Sequence, residues 1–428
     1  MDAFYRQEIN GLRGVDRIGY LRLSLEDAHQ NQLPFKGFLL GHPGVGKTTE
    51  LRRLLLGLEG RFRPLYLSVT SELNPGTLRF YDVLLLILIK LVYEASLPEV
   101  IGFEDTDLKK MLDWVRDHLA HRWVKHLRVD QKELGGGVNI PFLKLFGNIK
   151  LGTTRERGKE EYELSFVSEL VELMNRVLAE CNRLLAKHQN GRQWVIVLED
   201  FEKIGLSPSL VKDLFIGLRP SFEGFDADFI AVIPVWLQYS EDAGIVLPSN
   251  FQSFPIPDIP VYDRHHLENA EVIAALKAVV TARIDSRLFD PGVLDRFCIA
   301  SGGNLRDLFS LIQSAMLNAR LRGSSAISSE DADLAINALR NDYKQLLGST
   351  GLDPNDASLP EKLDRLVGIY KGDDKTADVP NRILYQLLQQ RCVLQYNGTG
   401  WKGVHPLVVD LLMEFEKLPE NSPGGSEA

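Results

Sequence analysis

Cysteine is scarce. The 428 residues contain three, Cys181, Cys298 and Cys392, far apart and inside apolar stretches. That spacing excludes a disulfide framework and any zinc-ligand pattern, and reads as small core hydrophobes in a reducing compartment. Long apolar runs are missing too: the longest, Val83 to Ile89, stops at Lys90, far short of the roughly 20 residues a spanning helix needs. The start, Met1-Asp2-Ala3-Phe4-Tyr5-Arg6, lacks the charged segment and apolar segment of a secretory signal. These absences predict a cytoplasmic protein with no transmembrane segment. An overall positive charge is also lacking, the formal net charge being -9. With 25% charged and 44% hydrophobic residues, the composition is that of a globular protein, and the length predicts two or three domains.

The most informative residues present are Gly41-His42-Pro43-Gly44-Val45-Gly46-Lys47-Thr48. The apolar run Phe38-Leu39-Leu40 before them reads as a buried strand, and Thr49-Glu50-Leu51-Arg52-Arg53-Leu54 after them as a helix. Strand, glycine loop and helix in that order form a P-loop. Glycines let backbone N–H groups close around phosphate oxygens, and the helix N-terminus adds a positive dipole end. Lys47 is placed to reach terminal phosphates and the Thr48 hydroxyl to ligate magnesium. The expected ligands are therefore ATP and Mg2+, bound by Gly41, Pro43, Gly44, Val45, Gly46, Lys47, Thr48 and Thr49.

A second landmark is Trp194-Val195-Ile196-Val197-Leu198-Glu199-Asp200, a continuous apolar strand whose tip carries two carboxylates. It has the pattern of a Walker B strand. Glu199 would hold magnesium through water, and Asp200 would orient the attacking water. Further strands are read at Pro64 to Val69 and within Asp228 to Trp236, the latter terminated by Pro234, with a helix from Leu78 to Glu94 and an edge strand in Phe254 to Val261. Alternating strands and helices predict an α/β fold with a parallel sheet. From about Leu267 to Leu347 only helical periodicity remains, which predicts a helical lid. Within it, Ser301-Gly302-Gly303-Asn304-Leu305-Arg306-Asp307 places two glycines at a turn and an arginine in the first turn of the next helix.

The P-loop, the acidic strand, a strand in sensor-1 position and the glycine-turn arginine together resemble AAA+ ATPases, in the branch shared by archaeal origin-recognition proteins and bacterial STAND-like defence and signalling ATPases. The resemblance spans roughly residues 31 to 345. It implies that Arg306 is a sensor-2 arginine touching the γ-phosphate; the less favoured alternative is a helix-start arginine paired with Asp307 or facing solvent. Three features depart from the family pattern. The sensor-1 strand ends in Val232-Ile233-Pro234 rather than in a polar residue. No arginine lies between that strand and Val261, leaving Arg264 and Arg283 as substitutes for an arginine finger. The acidic pair is Glu-Asp instead of the commoner Asp-Glu, which suits slow turnover and a switch better than a motor.

These readings divide the chain into an N-terminal segment (1–30), an ATPase core (31–265), a lid (266–347), a C-terminal unit (358–418) and a disordered tail (419–428). In the C-terminal unit, a helix at Lys362 to Tyr370, a second at Asn381 to Gln390, and an Asn397-Gly398 turn between apolar strands resemble a winged-helix domain. Eight acidic and eight basic residues fall between 359 and 418, so a protein-interaction or autoinhibitory wing is favoured over DNA binding. A segment at 121–159 carries nine Lys or Arg against three acids and reads as a hairpin-bearing insertion. It could face nucleic acid, an acidic partner or an anionic membrane surface, or be a solvated edge. The expectation is an ATP-binding regulatory ATPase working with a protein effector or sensor, with homo-oligomerisation open. The alternatives are a DNA-bound AAA+ initiator or transposition-type ATPase and a nucleotide-binding scaffold that does not hydrolyse.

Overall fold

The computed structural model describes residues 8–72, 80–102, 104–123, 160–201, 208–240, 243–247, 251–348, 356–372, 379–396, 401–420 and 422–426. Its centre is a five-stranded sheet of β1 (Lys36–Gly41), β2 (Phe62–Ser68), β3 (Gln193–Glu199), β4 (Asp228–Pro234) and β5 (Gln252–Pro255), ordered β2-β3-β4-β1-β5 and parallel at every pairing. Parallel strands covered on both faces read as unbroken apolar runs, and β3 and β4 do so. Alternate residues of β1 serve different cores. Leu39 joins Val195, Val197, Ile230 and Val232 on one face, while Phe38 and Leu40 join Ile196, Leu198, Phe229 and Ala231 on the other.

Two short N-terminal helices, α1 (Glu8–Leu12) and α2 (Arg17–Gln30), precede β1, and α3 (Lys47–Leu56) follows it. Leu21 and Leu25 of α2 and Leu51 and Leu55 of α3 close the first core. The opposite face is covered by α4 (Phe80–Ser96), α6 (Glu160–His188) and α7 (Pro208–Gly224), with α5 (Thr106–Trp123) packed on α6. Helix α4 lies between β2 and α6, so residues Val83 to Leu88 are all buried. That position explains the longest apolar run: it is a core helix hydrophobic on every side. Among the described residues no helix is long and apolar enough to cross a membrane. The basic insertion read at 121–159 lies, from residue 124 onward, outside the described residues.

Four helices form the lid: α8 (Ala270–Thr281), α9 (Val293–Ala300), α10 (Leu305–Leu321) and α11 (Ser329–Leu347). The C-terminal unit runs α12 (Leu359–Lys371), α13 (Arg382–Gln389), β6 (Val393–Tyr396), β7 (Trp401–Val404) and α14 (Pro406–Glu414), with β6 and β7 antiparallel; the Asn397-Gly398 turn lies outside the described residues. This unit is docked on the rest of the chain. Helix α13 packs on a 3-10 turn, Val235–Tyr239, where Tyr385 meets Trp236 edge-on with ring centroids 5.1 Å apart, and α14 packs on α11. The cysteines are free and buried, and burial pushes the Cys298 and Cys392 thiols up to about 12.

Strand β4 ends at Pro234, the residue read as its terminator, and Val235 and Trp236 belong to the 3-10 turn. One expectation changes: the tail read as disordered is tied down over residues 422–426. The Tyr262 hydroxyl donates to the Gly425 carbonyl and the Tyr370 hydroxyl to the Pro423 carbonyl, both at 2.6 Å, while the Ser426 N–H donates to Asp410 at 3.0 Å. Backbone carbonyls recruit these hydroxyls whatever the side chains are, so a polar composition did not reveal the contact.

Candidate functional site at the P-loop

Strand β1 ends at Gly41, and the chain turns through His42 to Gly46 into α3. Gly44 and Gly46 have φ of +93° and +95°, the left-handed region that glycine reaches without a Cβ penalty. Gly46 caps α3 with no side-chain hydrogen bond, so its first-turn amides are left to an external acceptor. Lys47 opens that helix; its buried Nζ donates to the Gly41 and His42 carbonyls at 2.9 Å each. Pro43 and Thr48 are half-buried, Val45 is buried and Thr49 is exposed.

The acidic strand tip lies beside a second strand tip. Ser68 at the end of β2 pairs in register with Glu199 at the end of β3. The Ser68 hydroxyl donates to Asp200 Oδ2 at 2.6 Å, and Asp200 holds φ of +72°. A left-handed non-glycine residue is costly, and the serine bond fixes its carboxylate there. Glu199 is buried, with the Arg52 guanidinium of α3 at 3.6 Å from its Oε2. That arginine also lies over the Tyr66 ring. Burial, and then the Glu199 charge, raise the Tyr66 hydroxyl to about 12.

The lid begins directly on the loop. Asn304 caps α10 by accepting from the Arg306 and Asp307 amides, and its Nδ2 donates to the Pro43 carbonyl at 2.8 Å. A Cβ on Gly44 would sit 2.6 Å from the Arg306 Cβ. Asp307 does not pair with Arg306: it accepts from Arg391 Nη1 at 2.8 Å and from the Tyr343 hydroxyl at 2.9 Å. Among the described residues Arg306 makes no ion pair. The turn has no slack, since a Cβ on Gly303, at φ +80°, would overlap the Ile259 carbonyl.

A third element reaches the loop from the N-terminus. Buried Arg13, just after α1, donates from Nη2 to the Val45 carbonyl and from Nη1 to Asn10 Oδ1, and Asn10 donates to Glu50 of α3 at 3.0 Å. Sequence reasoning missed Asn10, Arg13 and Ser68. Nothing in their local pattern marks them, whereas Asn304, directly before an apolar-periodic helix, carried a cap signal. The two substitutes for an arginine finger are engaged within the chain. Arg264 lies over Trp401, and Arg283 donates to the Val279 carbonyl at 2.7 Å and lies over Phe309. After β4 the first polar side chain is Gln238, whose Oε1 is buried with no hydrogen-bond partner among the described residues. Among the described residues no His, Cys, Asp or Glu cluster forms a self-contained metal site.

No protein-family model matches the chain, and no curated protein matches it. Solved structures resemble it at low identity. Cdc6p from Pyrobaculum aerophilum is 15% identical, with 97% of this chain and 98% of that chain covered and a TM-score of 0.39. The Aeropyrum pernix ORC2 protein, in ADPNP–ADP complexes, is 12% identical, with 94% of both chains covered and a TM-score of 0.41. The Aeropyrum pernix ORC1 protein in complex with DNA is 14% identical over 96% of this chain and 95% of that chain, with a TM-score of 0.40. Likeness at this distance transfers no activity, partner or residue role. The fold is α/β, a five-stranded parallel sheet with a P-loop at the end of β1.

Proposed function

We propose that the chain is a nucleotide-dependent regulatory ATPase that binds ATP with Mg2+ between the P-loop and the lid. The observation that carries this reading is the Asn304–Pro43 hydrogen bond, which starts the arginine-bearing lid helix on the loop. The residues suit a magnesium triphosphate. Two left-handed glycines and an uncapped helix start form a concave set of amides. The Lys47 ammonium is held by loop carbonyls, from which it can transfer to phosphate oxygens. Thr48 and Glu199 supply the oxygen ligands magnesium prefers, Glu199 through water. Asp200, fixed by Ser68, would orient the attacking water. Arg306 would meet the γ-phosphate from the lid, so that lid closure reports which nucleotide is present. The Glu-Asp pair suits slow hydrolysis.

The STAND-like resemblance extends the proposal to a switch in a bacterial defence or signalling system, with a protein effector or sensor as partner. DNA binding by the C-terminal unit is less well supported, because α13, the helix before its hairpin, packs against Trp236 of the core. Calorimetric titration tests the site. ATP with Mg2+ should bind the wild type, and Lys47→Ala should lose at least tenfold in affinity while unfolding at a similar temperature. Equal affinity of the two proteins would overturn the reading.

A further inference from the structure

His42, the second residue of the P-loop, is 1% exposed, and each of its ring nitrogens faces an oxygen from another part of the chain. Nδ1 lies 2.6 Å from Oδ2 of Asp258, in the segment between β5 and the lid. Nε2 lies 3.0 Å from the carbonyl of Leu388, in the last turn of α13. Asp258 is equally buried and continues the connection: its Oδ2 accepts from the Gln395 N–H at 3.0 Å, and its own N–H donates to the Gln395 carbonyl at 2.8 Å. Asp258 and Tyr396 form an isolated parallel bridge, adding a short ladder between that segment and β6. The loop is thus anchored to the C-terminal unit through the His42 ring, directly at Leu388 and by way of Asp258 at Gln395.

We propose that His42 is a positioning residue through which the docked C-terminal unit pre-organises the P-loop, so that this unit is part of the nucleotide site although none of its residues was assigned there. Gly44 and Gly46 leave the loop backbone permissive, and such a loop binds well only if something outside it restricts it. The ring fixes the chain at the entry to the loop, and the carbonyl of the same residue is one of the two oxygens holding Lys47. A buried carboxylate whose Oδ1 has no hydrogen-bond partner among the described residues is poor material for stability alone, because apolar packing would avoid its desolvation. It does give the loop one defined position. Linkage then requires the converse: nucleotide bound to the ordered loop must tighten the docking of α13 and β6.

The inference rests on the nucleotide site proposed above. Its test uses the full chain, Mg2+ and ATPγS as probe, with affinity read by calorimetry and amide hydrogen exchange read over residues 384–396. In the wild type the probe should slow exchange in that segment. His42→Ala should weaken the probe at least tenfold, and His42→Asn, whose amide N–H can replace the Nδ1 contact to Asp258 but not the Nε2 contact to Leu388, should recover part of the loss. Tyr385→Ala, which loosens docking at Trp236 away from the loop, should weaken the probe severalfold in the wild type but not further in the His42→Ala background. Asp258→Asn provides the same comparison where His42→Ala does not fold. Failure of the wild type to bind the probe overturns the site reading and this inference with it. Binding with unchanged or faster exchange at 384–396, or additive losses in the double variant, overturns the inference alone.

Discussion

The role proposed for Asp200 rests on one hydroxyl, that of Ser68. Asp200 was legible in the sequence because it ends an apolar strand; its support was not, since Ser68 stands 132 residues away and only strand pairing brings the two together. The same holds for Arg13, which meets the loop 32 residues further on. Residues that act from within a motif can be read, while those that reach it across the fold cannot. Asp200→Asn should retain ATP and lose turnover, since an amide cannot take the water's proton. Ser68→Ala should lower kcat roughly tenfold, about 1.4 kcal/mol, with KM nearly unchanged. Steady-state kinetics decides between this positioning role and a passive one: a raised KM with kcat intact would assign Ser68 to binding.

At the scale of elements, the strands that end at the site were legible as apolar runs, and the lid as helical periodicity without strands. The close approach between lid and core was written only as two adjacent glycines. Gly303 shows what they do. Its left-handed φ and the Ile259 carbonyl beside it leave no room for a side chain, so Gly303→Ala must move the turn that carries Asn304 and Arg306. The expected cost is about 3 kcal/mol or more, combining backbone strain with overpacking, together with a loss of ATP affinity. Thermal unfolding and calorimetry on the same sample check both parts. Gly323→Ala is the control, having a similar φ of +77° and open space at its Cβ. It should lower stability through strain alone and leave ATP affinity unchanged.

Over the whole molecule, two buried groups give stability opposite responses to acid. His405 starts α14 and stacks on Tyr343 of the lid at 4.4 Å. Burial lowers its ring to about 4, so the unfolded chain binds a proton more readily than the folded one. That contribution is complete above pH 6.5 and is lost as pH falls towards 4. Asp228 at the start of β4 is raised by burial to about 6, against the opposing bond from the Phe35 N–H. Its folded form holds the proton more tightly, so stability falls as pH rises from about 4 to 6. Each shift amounts to about 3 kcal/mol, and the two largely cancel in the wild type. Asp228→Asn, which keeps the acceptor for Phe35, should unmask a loss of stability in acid. His405→Asn, which keeps a helix cap, should unmask a gain. Unfolding temperatures at pH 4.5 and 7 should therefore move in opposite directions in the two variants. Identical slopes would show that neither group governs the acid response. The docking of the C-terminal unit was the least legible feature of all, because it rests on a loop histidine, an aromatic edge and backbone carbonyls that carry no periodicity.

The strand order also governs how the chain is made. Strand β1, which ends in the P-loop, lies between β4 and β5, and Lys36 pairs with Phe229 and Gly37 with Gln252. Both neighbours are thus synthesised about 190 to 215 residues later, which at roughly 5–20 residues per second on the ribosome is a wait of about ten seconds or more. Throughout that interval β1 has two unsatisfied edges of high apolar content, the condition in which strands join the wrong partner. Nascent chains stalled before β5 should be caught by holdase chaperones or aggregate, and the same chains released after it should not. The P-loop is written within the first eighth of the chain, yet the strand that carries it is not flanked on both sides until more than half of the chain has been made.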